Sequence, residues 1–148
     1  MKKWLTVIGL AAALIFGYFL NDRWRPGPET LMNQAHAAFN RNDYRSAQTL
    51  FARVIRATPG HSGLRNEASL FHAVCSIRLN RPAPAAAELR QFLAEYPSSF
   101  WSPEANFNLA ECENDLGHKE AAARIYRRII AVFPTTSWAE YSQDKLKR

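Results

Sequence analysis

Residues 109–134 read LAECENDLGHKEAAARIYRRIIAVFP, and their spacing decides the fold. A break at Leu116-Gly117 divides the stretch, since Gly readily takes the left-handed conformation that ends a helix. Beyond the break, Ala122, Tyr126 and Ile129 follow one another at intervals of four and three, so they share one helix face. Pro134 then stops the pattern. The same series recurs upstream, because Pro59, Pro97 and Pro134 stand 38 and 37 residues apart. Twelve residues before each proline lie Ala47, Ala85 and Ala122; eight before, Phe51, Leu89 and Tyr126; five before, Val54, Phe92 and Ile129. Twenty-four before them lie Ala35, Ala73 and Ala110. Small side chains recur where helices cross closely and bulky ones where a core must be filled, which is the signature of a helical repeat.

Each period is expected to be two antiparallel helices. The first pair runs from Glu29 to Arg41 and from Tyr44 to Ala57, with Asn42-Asp43 turning the chain. The second runs from Asn66 to Leu79 and from Pro84 to Tyr96, prolines being tolerated in a first turn whose N–H groups lack partners anyway. The third runs from Pro103 to Leu116, with Ser102 as N-cap, and from Lys119 to Phe133. A last amphipathic segment, Ser137 to Lys147, carries Trp138, Tyr141 and Leu146 and is expected to cover the final apolar face. The fold class is therefore all-α.

These residues resemble the tetratricopeptide repeat. The third unit carries Leu109-Ala110, Leu116-Gly117, Ala122, Tyr126, Ile129 and Pro134, and the first carries Asn42-Asp43-Tyr44, Ala47, Phe51 and Pro59. The second unit departs, with Asn80-Arg81 in place of the usual Gly-Asp-like turn and Pro82 at the aromatic position. The joints Tyr96-Pro97-Ser98-Ser99 and Phe133-Pro134-Thr135-Thr136-Ser137-Trp138-Ala139 are similar to those of a bacterial envelope group. That group includes BamD-type outer-membrane assembly lipoproteins and Tol-Pal coordinator proteins. The resemblance implies a short right-handed solenoid of three units and a capping helix, whose first helices line a concave groove. The implied groove residues are Met32, Asn33, His36, Phe39 and Asn40; then Leu70, Phe71, Val74, Ile77 and Arg78; then Phe107, Asn108, Glu111, Asn114 and Asp115. Such a surface, apolar in the middle and acidic toward the third unit, suits a peptide with apolar anchors and some positive charge.

Ahead of the repeats, residues 1–3 (Met1-Lys2-Lys3) precede an apolar run from Trp4 to Leu20. As a helix this run spans about 26 Å at about 1.5 Å per residue, near the thickness of a bilayer core. It passes directly into Asn21-Asp22-Arg23-Trp24-Arg25, with no small-residue cleavage site and no Cys to accept a lipid, so an uncleaved anchor at 4–20 and a linker at 21–28 are expected before the repeat domain, 29–148. Gly9, Ala13 and Gly17 recur every four residues and would let a partner helix approach closely. Trp4, Tyr18 and Trp24 suit the two membrane interfaces. The positive-inside bias of Lys2 and Lys3 points the N-terminus to the cytoplasm. With the envelope resemblance, the expected place is a bacterial inner membrane, single-pass, with the repeats in the periplasm.

The chain as a whole is basic, with net charge +6 and pI near 9.7, but its cations are dispersed and no nucleic-acid motif accompanies them. Lys119, Arg124, Arg127 and Arg128 form the densest group, expected as a solvated face or as a contact to an anionic surface. Cys75 and Cys112 lack metal-site spacing and read as buried small side chains; their equivalent places on neighbouring first helices leave a disulfide open, though packed helices usually sit farther apart than its reach of about 7 Å. His36, His61, His72 and His118 fall at unrelated repeat positions, and Glu111, Glu113 and Asp115 lie two apart on a helix, so they do not all face one another. No catalytic residue, metal, cofactor or small-molecule substrate is expected. Phe100 and Trp101, in a loop beside Pro103, are expected to be buried between units two and three, the alternative being an exposed contact site. The expected function is that of a non-catalytic, membrane-anchored scaffold or accessory subunit, whose partners are the protein subunits of a membrane complex and the lipid bilayer. The alternative is a soluble periplasmic adaptor released by signal cleavage.

Overall fold

A computed structural model describes residues 26–147. Among these residues seven helices follow one another: α1 (Pro28–Asn40), α2 (Tyr44–Ala57), α3 (Gly63–Arg78), α4 (Pro82–Glu95), α5 (Ser102–Asp115), α6 (Lys119–Val132) and α7 (Ser137–Leu146). The apolar run at 4–20, with Gly9, Ala13 and Gly17, lies outside the described residues. Among those described, no helix is long and apolar enough to cross a membrane.

The repeat positions explain the packing. Ala35, Ala73 and Ala110, Ala47, Ala85 and Ala122, and the bulky Phe51, Leu89, Val54, Phe92 and Ile129 are all buried, as is Tyr126. They fall into three successive clusters. The first joins α1, α2 and α3 through Leu31, Phe51, Val54 and Cys75; the second joins α3, α4 and α5 through Leu70, Leu89, Phe92 and Leu109; the third joins α5, α6 and α7 through Ala110, Tyr126, Ile129 and Ala139. Burying a Leu, Ile or Phe stabilises by roughly 1.5–3 kcal/mol. Each helix touches its sequence neighbours; in addition α1 touches α3, α3 touches α5 and α5 touches α7. Among the described residues α2, α4 and α6 do not touch one another. The odd-numbered helices therefore form the tighter, inner layer of a curved stack, and the even-numbered ones the outer layer.

Three identical turns separate the helices within units. Asn42, Asn80 and Gly117 have φ of 62°, 56° and 82°. The N–H groups of Asn42 and Asp43 donate to Phe39 and Ala38 carbonyls at 2.9 and 3.0 Å; Asn80 and Arg81 repeat this to Ile77 and Ser76, and Gly117 and His118 to Asn114 and Glu113. This is the Schellman arrangement, which satisfies the orphan carbonyls of a helix end. The departure of unit two from the usual turn residues leaves its geometry unchanged, since Asn tolerates the left-handed region. Helix α4 begins at Pro82 rather than at the expected Pro84, so both prolines sit in the first turn. Helix α3 begins at Gly63 rather than Asn66, because the Ser62 hydroxyl accepts from the Arg65 N–H at 3.2 Å and caps an earlier start. Ser102 is not an N-cap: Trp101 holds that place, and the buried Ser102 hydroxyl donates back to the Tyr96 carbonyl at 3.0 Å.

Candidate functional site

The inner layer presents a row of aromatic side chains that the spacing of α1, α3, α5 and α7 brings together. Phe71 on α3 is its hub: its ring stacks on buried Phe51 and meets His36, Phe39 and Trp101 edge-on, with centroids 4.8, 5.5 and 5.9 Å away. Tyr44 extends the row beyond Phe39, and Phe100 beyond Trp101. A second group forms where α7 closes the stack, with Phe107 5.2 Å from Trp138 and 6.2 Å from Tyr141. Tyr141 is exposed; Phe39, Phe71, Trp101, Phe107 and Trp138 are half-buried. Edge-to-face contacts hold such rings rigidly while leaving area for a partner.

Polar groups are distributed unevenly along this layer. His36 Nε2 lies 3.0 Å from Glu67 Oε1, joining α1 to α3. On α5, Glu104, Asn108, Glu111 and Asp115 follow at helical intervals and share a face. Glu111 accepts from the Tyr126 hydroxyl and from Lys145 on α7, which fixes its carboxylate. Burial and then that hydrogen bond push the Tyr126 hydroxyl well above its ordinary range. Burial likewise raises the pKa of Glu104. Asp115 is exposed.

The residues expected in the groove divide between core and surface. Met32, 4% exposed, and Leu70, 0%, are core residues: Met32 packs in the first cluster, and α5 covers Leu70 in the second. His36, Phe39, Phe71, Val74, Ile77, Phe107, Asn108 and Glu111 are half-buried, with Val74 and Ile77 packed against the second cluster. Asn33, Asn40, Arg78, Asn114 and Asp115 are exposed. Trp101, Trp138, Tyr141 and Lys145 were not among the expected groove residues; the Trp138/Tyr141 spacing of three was the available signal. Of the aromatic pair expected to be buried, Trp101 is half-buried and Phe100 is 86% exposed.

The basic group on α6 is split by the helix. Arg124 and Arg128, one turn apart, face the side toward α4, whereas Lys119 and Arg127 line a cleft with Lys145 and Leu146 on the side of α7. Cys75 and Cys112 are free, and burial, the main cause, pushes their thiols up to about 12 and about 11.

One cluster has the residue types of an acyl-transfer site. His72 Nδ1 lies 3.1 Å from Glu88, and the Ser76 hydroxyl, 1% exposed, lies 3.2 Å from both oxygens of the same carboxylate. Ser76 donates to the Glu88 carboxylate and not to the imidazole, so the group lacks the serine-to-histidine order of an acyl-transfer triad. Gln48 also donates to Ser76 Oγ at 2.7 Å, and the group works as a strut between α2, α3 and α4. Among the described residues, no three His, Cys, Asp or Glu side chains converge to hold a metal ion.

The tetratricopeptide repeat matches the chain twice, over residues 32–100 and over residues 77–136. Comparison with curated proteins finds no match.

Proposed function

Because this chain belongs to the tetratricopeptide repeat family, we propose that it is a protein-interaction scaffold, an accessory subunit of a membrane complex that receives a partner segment along the inner layer of α1, α3, α5 and α7. The observation that carries this reading is the aromatic row, in which Phe39, Phe71, Trp101, Phe107, Trp138 and Tyr141 keep apolar area open on the surface beside Glu111 and Asp115. Rigid aromatic anchors with nearby carboxylates suit a partner peptide bearing apolar side chains and positive charge. The apolar run from Trp4 to Leu20 and its unbroken passage into Asn21-Asp22-Arg23 support an uncleaved anchor in a bacterial inner membrane, with the repeats in the periplasm. The face of Gly9, Ala13 and Gly17 supports packing against a partner's membrane helix.

Gentle detergent extraction, size separation and mass spectrometry of the N-terminus and of co-migrating proteins test the proposal. An intact N-terminus with stoichiometric partners is the expected result. A chain cleaved after Leu20 and migrating alone in the soluble fraction would overturn the membrane scaffold in favour of a free periplasmic adaptor. Within the complex, Tyr141→Ala and Asp115→Lys, both at exposed positions, are expected to weaken partner binding about tenfold each without lowering the melting temperature.

A further inference from the structure

The outer layer carries a second surface, in the cleft between α4 and α6. Its cavity of about 570 Å³ has α5 as its floor, and its apolar lining includes Leu93, Leu109, Ile125, Val132 and Phe133. An adjoining cavity of about 340 Å³ continues it along α6 as far as Ala121. From Ala121 to Phe133 the trough is about 18 Å long, at about 1.5 Å per residue of α6. Arg90, Arg124 and Arg128 stand along it. Its one carboxylate, Glu113, is buried and already engaged by Arg90 and His118. Among the described residues Arg124 and Arg128 form no ion pair. Val132, 56% exposed, is among the most open apolar side chains described.

The chain contains its own comparison, since the repeat places an equivalent cleft between α2 and α4. That one is smaller, about 180 Å³, and more polar. His72, Glu88, Gln91 and Glu95 line it, at the repeat positions that Leu109, Ile125, Arg128 and Val132 occupy one unit later. His72 and Glu88 close on each other there, and Arg65 donates to the Ile55 and Thr58 carbonyls at the end of α2. The first cleft thus satisfies its own polar groups. The second has lost two carboxylates and an imidazole to aliphatic side chains, carries Ser102 in place of Arg65, and gains Arg124 and Arg128 in place of Ala87 and Gln91, which leaves an apolar floor beside two arginines without ion pairs among the described residues.

We propose that the α4–α6 cleft is a docking site for an acidic amphipathic peptide segment of a partner protein, separate from the inner aromatic layer. Aliphatic and aromatic side chains of the segment cover Leu93, Ile125, Val132 and Phe133, while its carboxylates meet Arg124 and Arg128. A trough of this length takes about three turns of helix.

Fluorescence anisotropy of the full chain in detergent tests the site. The probes are labelled peptides of about fourteen residues, with Leu or Phe at every third or fourth position and Glu between them, and the same peptides with Lys for Glu. Saturable binding of the Glu series, at least tenfold tighter than the Lys series, is expected. The double variant Arg124→Glu/Arg128→Glu, at exposed positions, is expected to reverse that preference and to keep its helical circular dichroism. Ile125→Glu/Arg128→Gln, which copies Glu88 and Gln91 of the first cleft, should also lose binding, whereas Tyr141→Ala on the inner layer should not. Equal binding of the two series, binding that survives the arginine changes, or no binding of the Glu series would overturn the proposal. So would binding of dihexanoyl phosphatidylglycerol through the same arginines without binding of the Glu peptides, which would assign them to a lipid headgroup.

Discussion

Cys75 and Cys112 stand at equivalent places on α3 and α5 and act as small apolar side chains, since buried thiols held up to about 12 and about 11 supply almost no thiolate at neutral pH. Iodoacetamide at pH 8 should leave both unmodified in the folded chain and alkylate both in urea, as read by mass spectrometry; rapid labelling of the folded protein would contradict their burial. Glu104 carries the opposite cost, a carboxyl whose folded-state pKa is raised by burial above its unfolded value. Stability is then lost as pH rises through the folded value and is fully present below the unfolded one. Glu104→Gln should therefore raise the melting temperature at pH 7 and change nothing near pH 3, about one unit below the ordinary Glu range. At this scale the sequence was legible wherever a residue recurred. The alanines at the helix crossings and the bulky residues after them all lie in the core. Phe100 and Trp101 could not be separated in advance, because two adjacent aromatics in a loop have no period to sort them. Met32 and Leu70, expected to line the groove, lie instead in the first and second core clusters.

The helices owe their ends to backbone chemistry that is only partly written in residue type. Asn42, Asn80 and Gly117 share one left-handed turn, and Asn42-Asp43 and Leu116-Gly117 announce it in the sequence, whereas Asn80-Arg81-Pro82 disguises it. Helix α4 starts two residues early because a proline at the first helical position costs nothing there. A Cβ added at Gly117 meets no atom within 4 Å, so strain at a φ of 82° is the main penalty for Gly117→Ala. That substitution should cost about 1 kcal/mol, and Asn80→Gly should be neutral or stabilising by less than about 1 kcal/mol. Urea denaturation with unchanged m-values measures both. A destabilisation at Asn80 as large as at Gly117 would mean that the Asn side chain, and not backbone freedom, holds the turn.

The C-terminal end of the stack is closed by α7. Trp138 and Ala139 pack on Phe107, Tyr126 and Ile129, so a chain ending after Thr136 should lose roughly 2–4 kcal/mol, with hydrogen-exchange protection falling in α5 and α6 and persisting in α1 to α3. Protection lost evenly along the chain would instead indicate a single cooperative block. The repeat and its cap were legible because periodicity displays what the units share. The cleft between α4 and α6 was not, since it depends on where one unit differs from the last and on side chains about 35 residues apart meeting across a third helix. The contact pattern also bears on how the chain is made. Among the described residues no helix touches another more than two places along, so contact order there is low and the described partners of α1 have all been synthesised once α3 emerges. The chain can fold vectorially from its N-terminus, each new helix covering the apolar face left by the one before, and only the most recent face needs shelter from aggregation at any moment.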